Sequence, residues 1–134
     1  MSLIERFSFQ HLVNPAGSIV VGQAGIDVPF AIKRIYFLHD VPAGQTRGAH
    51  AHKKLMQVAV CAHGSCWFRL DNGVETADVQ LSKPNEGIVI RPMIWRDMYD
   101  FSSDCVLLVL ASEHYDESDY IRDYKEFQNA FPPR

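Results

Sequence analysis

Short apolar runs separated by Gly, Pro, Asn and Asp recur along the whole chain, the pattern of an all-β domain. Ser18 to Gly22 (SIVVG) is a short strand candidate, and Phe30 to Leu38 (FAIKRIYFL) is rich in β-branched and aromatic residues. His39 to Gly48 (HDVPAGQTRG) has loop composition. His50 to Ala62 starts polar and turns apolar from Leu55 to Cys61. After the His63-Gly64 turn, Ser65 to Leu70 reads as a strand. Asp71-Asn72-Gly73 is the clearest hairpin turn, because Asn-Gly readily takes positive φ. Val74 to Leu81, Gly87 to Ile90 and Val106 to Leu110 follow, the last apolar enough to be central. Only the tail changes period. Ser118 to Phe127 places Ile121, Tyr124 and Phe127 at helical spacing and predicts one short amphipathic helix. Pro132 and Pro133 are expected to end the ordered part. Eight or nine strands and a terminal helix predict a double-sheet jelly roll. An immunoglobulin-type sandwich is the competing architecture, but its Cys–Trp–Cys core is absent.

At 134 residues, one domain spanning 1–134 is expected. A net charge of −3 argues against nucleic-acid binding, which draws on a basic surplus. No stretch has the apolar length of a membrane helix or the run of a signal peptide. Three cysteines (Cys61, Cys66 and Cys105) without CxxC spacing read as buried thiols in a reducing cytoplasm, with Cys61 and Cys66 near each other across a hairpin.

Chemistry concentrates in Arg47-Gly48-Ala49-His50-Ala51-His52-Lys53-Lys54. Alternation along a strand puts His50, His52 and Lys54 on one face. If the strand continues, Met56, Val58 and Val60 lie on that side too. The face then runs from apolar core to a polar mouth, a sensible ligand cavity. Metal ligation needs a carboxylate about four residues on and a third histidine later. Those places hold Met56 or Gln57 and Arg91 to Asp97, so no metal and no cofactor is expected. Acid–base catalysis fits better, because imidazole both takes and returns protons near neutral pH. Plain surface or packing histidines are the remaining reading. Tyr36, entering the loop, can pack or act. Trp95 can be a core aromatic or the wall of a flat ligand site. His11, His39, His63 and His114 read as turn or surface residues. Asp116, Glu117, Asp119 and Asp123 read as a solvated face and helix-start charges.

Several long stretches resemble the dTDP-4-dehydro-6-deoxyglucose 3,4-ketoisomerases, cupins of the WxcM-like group. They are Lys33-Arg34-Ile35-Tyr36, RGAHAHKKLMQV (47–58), CAHGS (61–65), LDNG (70–73), GIVIRPMIW (87–95), DFSSDCVLLVLAS (100–112) and YDESDYIRDYKEF (115–127). The resemblance spans about residues 7 to 127. It implies a cytoplasmic jelly-roll homodimer that needs no metal. It implies a substrate of dTDP joined to a 4-keto-6-deoxyhexose, and a 3-keto product that an aminotransferase uses toward surface glycans or antibiotics. It places His50, His52 and Tyr36 in catalysis, with His50 as base, and Arg34, Arg47, Lys54, Trp95 and Arg96 around the substrate. Relatives carry His where this chain has Arg96, a departure that bears on the acid and base roles.

The implied chemistry needs no redox carrier. A base removes the C3 proton acidified by the C4 carbonyl, and the enediol is reprotonated at C4. His52 or Tyr36 would exchange protons with the oxygens, and Arg47 or Lys54 would hold negative charge. A 3,5-epimerase is the nearest rival, separable by product NMR. A metal-dependent dioxygenase would lose activity in chelator. A non-catalytic sugar-binding module would give no proton exchange in D₂O.

Overall fold

The computed structural model describes residues 3–131, so Pro132 and Pro133 lie outside the described residues. The chain is a cupin-type jelly roll. One five-stranded sheet has the order β1 (Glu5–Ser8), β9 (Glu86–Ile90), β6 (Gln57–His63), β11 (Val106–Ala111) and β4 (Arg34–His39). The facing sheet has the order β12 (Tyr120–Ile121), β5 (Arg47–His52), β10 (Trp95–Tyr99), β7 (Cys66–Asp71) and β8 (Thr76–Leu81). β2 (Gln10–Leu12) and β3 (Ile19–Val21) form a separate ribbon. Every named strand pair is antiparallel.

Period-two alternation sorts each strand between layers. Ala59 and Cys61 of β6, Cys66, Phe68 and Leu70 of β7, and Leu107 and Val109 of β11 meet between the sheets. The alternate residues Val58, Val60, Val89 and Leu110 face outward and are covered by Phe9, Val28, Phe30 and Ile32. On the other outer surface, Ala51, Trp95, Ile121 and Phe127 form a third cluster. Phe127 is fully buried there, and a side chain of that size contributes about 1.5–3 kcal/mol on burial.

Three expectations are corrected. His50 to Ala62 is two strands, not one, because the chain bends at Lys53-Lys54 and crosses from one sheet to the other. The crossing resets the alternation, so Gln57, Ala59 and Cys61 face the interior while Val58 and Val60 face out. The predicted helix over 118–127 is a 3₁₀ turn at Glu117–Asp119, strand β12, and the helix α1 at Tyr124–Asn129. Asp123 caps α1 by accepting from Lys125 and Glu126 amides. Upstream, β12 answers β5, with Tyr120 opposite His52 and Ile121 opposite Ala51. β1, β2, β10 and β12 were not anticipated as strands.

Candidate active site

The site begins with a bulge. Gly48 and Ala49 take φ values of 93° and 57°, and the β5–β10 register shifts there, with Gly48 opposite Asp97 and His50 opposite Arg96. Ala49 is the extra residue, a left-handed conformation that costs about 1–3 kcal/mol outside glycine. Gly48 has no room for a side chain, because a Cβ would lie 2.9 Å from the Arg96 carbonyl oxygen. Beyond the bulge, alternation sends both His50 and His52 inward, their ring centroids 4.9 Å apart and nearly perpendicular.

Hydrogen bonding assigns the tautomers. His50 Nδ1 lies 3.0 Å from the Gly48 carbonyl oxygen, which only accepts, so Nδ1 holds the proton. His52 Nδ1 lies 3.3 Å from Asp119 Oδ2, and the carboxylate accepts a hydrogen bond from its Nδ1–H in the same way. Asp119 is itself fixed by the amides of Lys54 at 2.8 Å and Leu55 at 3.3 Å. Both imidazoles therefore turn a bare Nε2 away from their anchors. Buried Nε2 of His52 has no protein partner. Burial holds His50 down to about 4 and His52 down to about 2, and the nearby Arg96 charge adds to both. They are neutral, proton-accepting groups at neutral pH.

A second chain of contacts crosses the barrel. Fully buried Arg96 donates from Nη1 to the Gln57 side-chain oxygen and from Nη2 to the Ile94 carbonyl at 2.9 Å. Gln57 donates its amide to the Tyr36 hydroxyl oxygen at 2.8 Å. Burial lowers Arg96 to about 10, still cationic at neutral pH, and raises Tyr36, which stays a protonated phenol. Because the Tyr36 oxygen already accepts from Gln57, its own proton remains available. Arg34, inward on β4 beside Tyr36, has buried Nε and Nη2 atoms without a protein partner.

Two adjoining cavities share Arg34 and Tyr120. One, about 470 Å³, is lined by Tyr36, Arg47, His50 and Arg122. The other, about 590 Å³, is lined by His52, Lys54, Tyr115 and Asp119. Tyr120 stands between them, its ring centroid 4.3 Å from His52 and 5.0 Å from His50. The structure thus gathers His50, His52, Tyr36, Arg34, Arg47 and Arg96. Lys54 reaches the second cavity from the bend after β5, not from the histidine face. Trp95 is corrected: it lies on the outer face of β10 against Phe127 and Tyr124, because inward positions on that strand go to Arg96 and Met98. Among the described residues, neither histidine belongs to a three-donor cluster suited to a metal ion. Sequence reasoning missed Gln57, Asp119 and Tyr120. Gln57 stood where a metal-binding cupin would carry its acid. Asp119 and Tyr120 had no local signal, since a folded-back strand brings them in.

Comparison with known proteins covers nearly the whole chain. A family model described as FdtA, WxcM-like, C-terminal, matches residues 3–131. A TDP-4-oxo-6-deoxy-α-D-glucose-3,4-oxoisomerase from Aneurinibacillus thermoaerophilus is 46% identical over 121 residues, which is 90% of this chain and 87% of that protein. The 3,4-ketoisomerase QdtA from Thermoanaerobacterium thermosaccharolyticum, solved as a His-to-Asn mutant with TDP-4-keto-6-deoxyglucose, is 41% identical. It superposes with a TM-score of 0.93 over 97% of this chain and 94% of that one. The TDP-fucose-3,4-ketoisomerase WlaRA of Campylobacter jejuni is 35% identical, with a TM-score of 0.90 over 95% and 94% of the two chains.

Proposed function

This chain belongs to the FdtA family of WxcM-like, C-terminal domains, and from that premise we propose that it converts a TDP-linked 4-keto-6-deoxyhexose to the 3-keto isomer by histidine acid–base catalysis. It is an isomerase, a 3,4-ketoisomerase of TDP-sugars. The observation that carries the mechanism is the pair of neighbouring imidazoles whose Nδ1 protons are committed to Gly48 and Asp119. Each then offers a bare Nε2 in a pocket lined by Arg34, Arg47, Lys54 and Arg122.

In this reading His50 is the base, because it lines the cavity with Arg47 while His52 sits deeper against Asp119. His50 Nε2 takes the C3 proton. The electron pair moves toward the C4 oxygen and gives an enediolate. His50, once its captured proton has exchanged with solvent, protonates C4 on the same face, and the C3–O bond becomes the carbonyl. His52 Nε2 accepts the C3 hydroxyl proton and Tyr36 donates to the C4 oxygen; a proton then passes from His52 back to Tyr36 by way of solvent, which restores both groups. Arg96, acting through Gln57, polarises Tyr36, and Arg34, whose Nε and Nη2 lack protein partners, lines both cavities where negative charge grows. Arg47 and Lys54, at the mouths of the two cavities, suit the pyrophosphate. No step calls for a metal.

We place the reaction in the cytoplasm, ahead of an aminotransferase making 3-amino-3,6-dideoxy sugars, in a homodimer. The exposed Ile35 and Phe37 on the outer face of β4 suit a copy-to-copy contact, checked by light scattering on the eluted protein. The decisive experiment is incubation with TDP-4-keto-6-deoxyglucose in D₂O. A C3 ketone with deuterium at C4 supports the mechanism. An inverted C5 centre, or no exchange at all, removes it.

A further inference from the structure

The barrel interior holds a second cluster that the isomerisation does not use. Cys61 of β6, Cys66 of β7 and Cys105 just before β11 bring three Sγ atoms within 4.8 Å of one another. Cys61 lies 3.6 Å from Cys66 and 3.7 Å from Cys105. All three are buried, Cys105 the least at 4% exposed. A cap of two turns covers them. The Ser102 amide donates to the Ser65 carbonyl at 2.8 Å, and the Ser65 amide donates to Ser102 Oγ at 2.9 Å. Gly64, at φ 68°, is locked under the cap, because a Cβ would lie 2.4 Å from Ser102 Oγ.

Thiolate bonds of about 2.3 Å put two sulfurs sharing one central atom a little under 4 Å apart, close to the observed separations. The next question is which ion. A divalent structural metal takes four donors, and among the described residues the cluster has three. Three thiolates on a monovalent or divalent ion would also leave net negative charge in the apolar core, which is costly without a partner. A trivalent centre leaves none.

We propose that Cys61, Cys66 and Cys105 form a trithiol site for a trivalent thiophilic metalloid of the arsenite class. Three S–As bonds form, three As–O bonds break, and the three thiol protons leave with the hydroxyls as three waters. No electron changes hands, and the core remains neutral.

The test titrates the whole folded protein with sodium arsenite, with Zn(II) and Cu(I) in parallel. The expected result is one arsenic per chain, a mass gain of one arsenic less three hydrogens, loss of all three titratable thiols, and binding ahead of zinc. Cys105→Ala and Cys66→Ala, checked for fold by circular dichroism, should each weaken arsenite binding about tenfold or more, a change worth about 1.4 kcal/mol per factor of ten. Should one variant not fold, the other variant and the wild-type stoichiometry decide. Absence of arsenic on the folded protein, binding only in denaturant, tighter zinc than arsenite, or unchanged affinity in the folded variants would overturn the site. None of these readouts depends on isomerase activity.

Discussion

The two ends of the barrel interior share strand β6 and differ in what is wired to them. β6 gives Gln57 to the polar mouth and Cys61 to the thiol floor, with Ala59 between. At the mouth, buried polar groups are tied outward to fixed partners: His50 to Gly48, His52 to Asp119, Tyr36 to Gln57, and Gln57 to Arg96. Each tie uses one valence and leaves another facing the cavity. At the floor, the sulfurs face one another under a hydrogen-bonded cap. Burial depresses the imidazoles at one end and raises Cys105 to about 12 at the other, in each case by favouring the neutral form. Polar groups spared from pairing make a reactive pocket, whereas soft groups that pair only with each other make a quiet one.

The contrast is broken most directly at the mouth. His50→Asn should lower kcat about 10²–10⁴-fold while titration with TDP gives nearly unchanged affinity. Cys66→Ala should leave kcat near the wild-type value in the same assay. The wall between the ends comes next. Leu107, fully buried opposite Cys61, should cost about 2–5 kcal/mol as Leu107→Ala in denaturant unfolding.

Acid sharpens the comparison by acting on the mouth. The folded chain holds His50 at about 4 and His52 at about 2, against 6.5 for a free imidazole. Below pH 6.5 the unfolded chain binds protons that the folded chain refuses. Stability is therefore complete above that pH and falls on acidification, by up to about 1.4 kcal/mol per pH unit for each histidine. His52→Gln should flatten that slope in melts taken between pH 7 and 5. A slope unchanged by the substitution would mean that other groups govern acid stability.

The smallest effect is expected at Asp119, a positioning residue. Asp119→Asn should reduce kcat about tenfold and move its pH profile, with little change in melting temperature. An equal loss of kcat and of stability would make Asp119 merely structural.

Much of this was readable in the sequence. The Asp71-Asn72-Gly73 turn, the apolar run of β11 and the inward pairing of His50 with His52 follow from turn chemistry and alternation. The hidden part depended on interruptions. The bend at Lys53-Lys54 inverted the parity of β6, so Val58 and Val60 left the interior that simple alternation gave them. Trp95 went to the outer layer because Arg96, the less obvious residue, took the inward place. Asp119 and Tyr120 sat in a stretch whose helical spacing masked a short strand. Period alone does not report where a chain changes sheets.

The docking of β12 on β5 also ties the site to the end of the chain. His52 and the carboxylate that orients it stand 67 residues apart in sequence. Loosening of the strand carrying Tyr120 would take away that imidazole's guide while the apolar filling held by β6, β7 and β11 stayed in place.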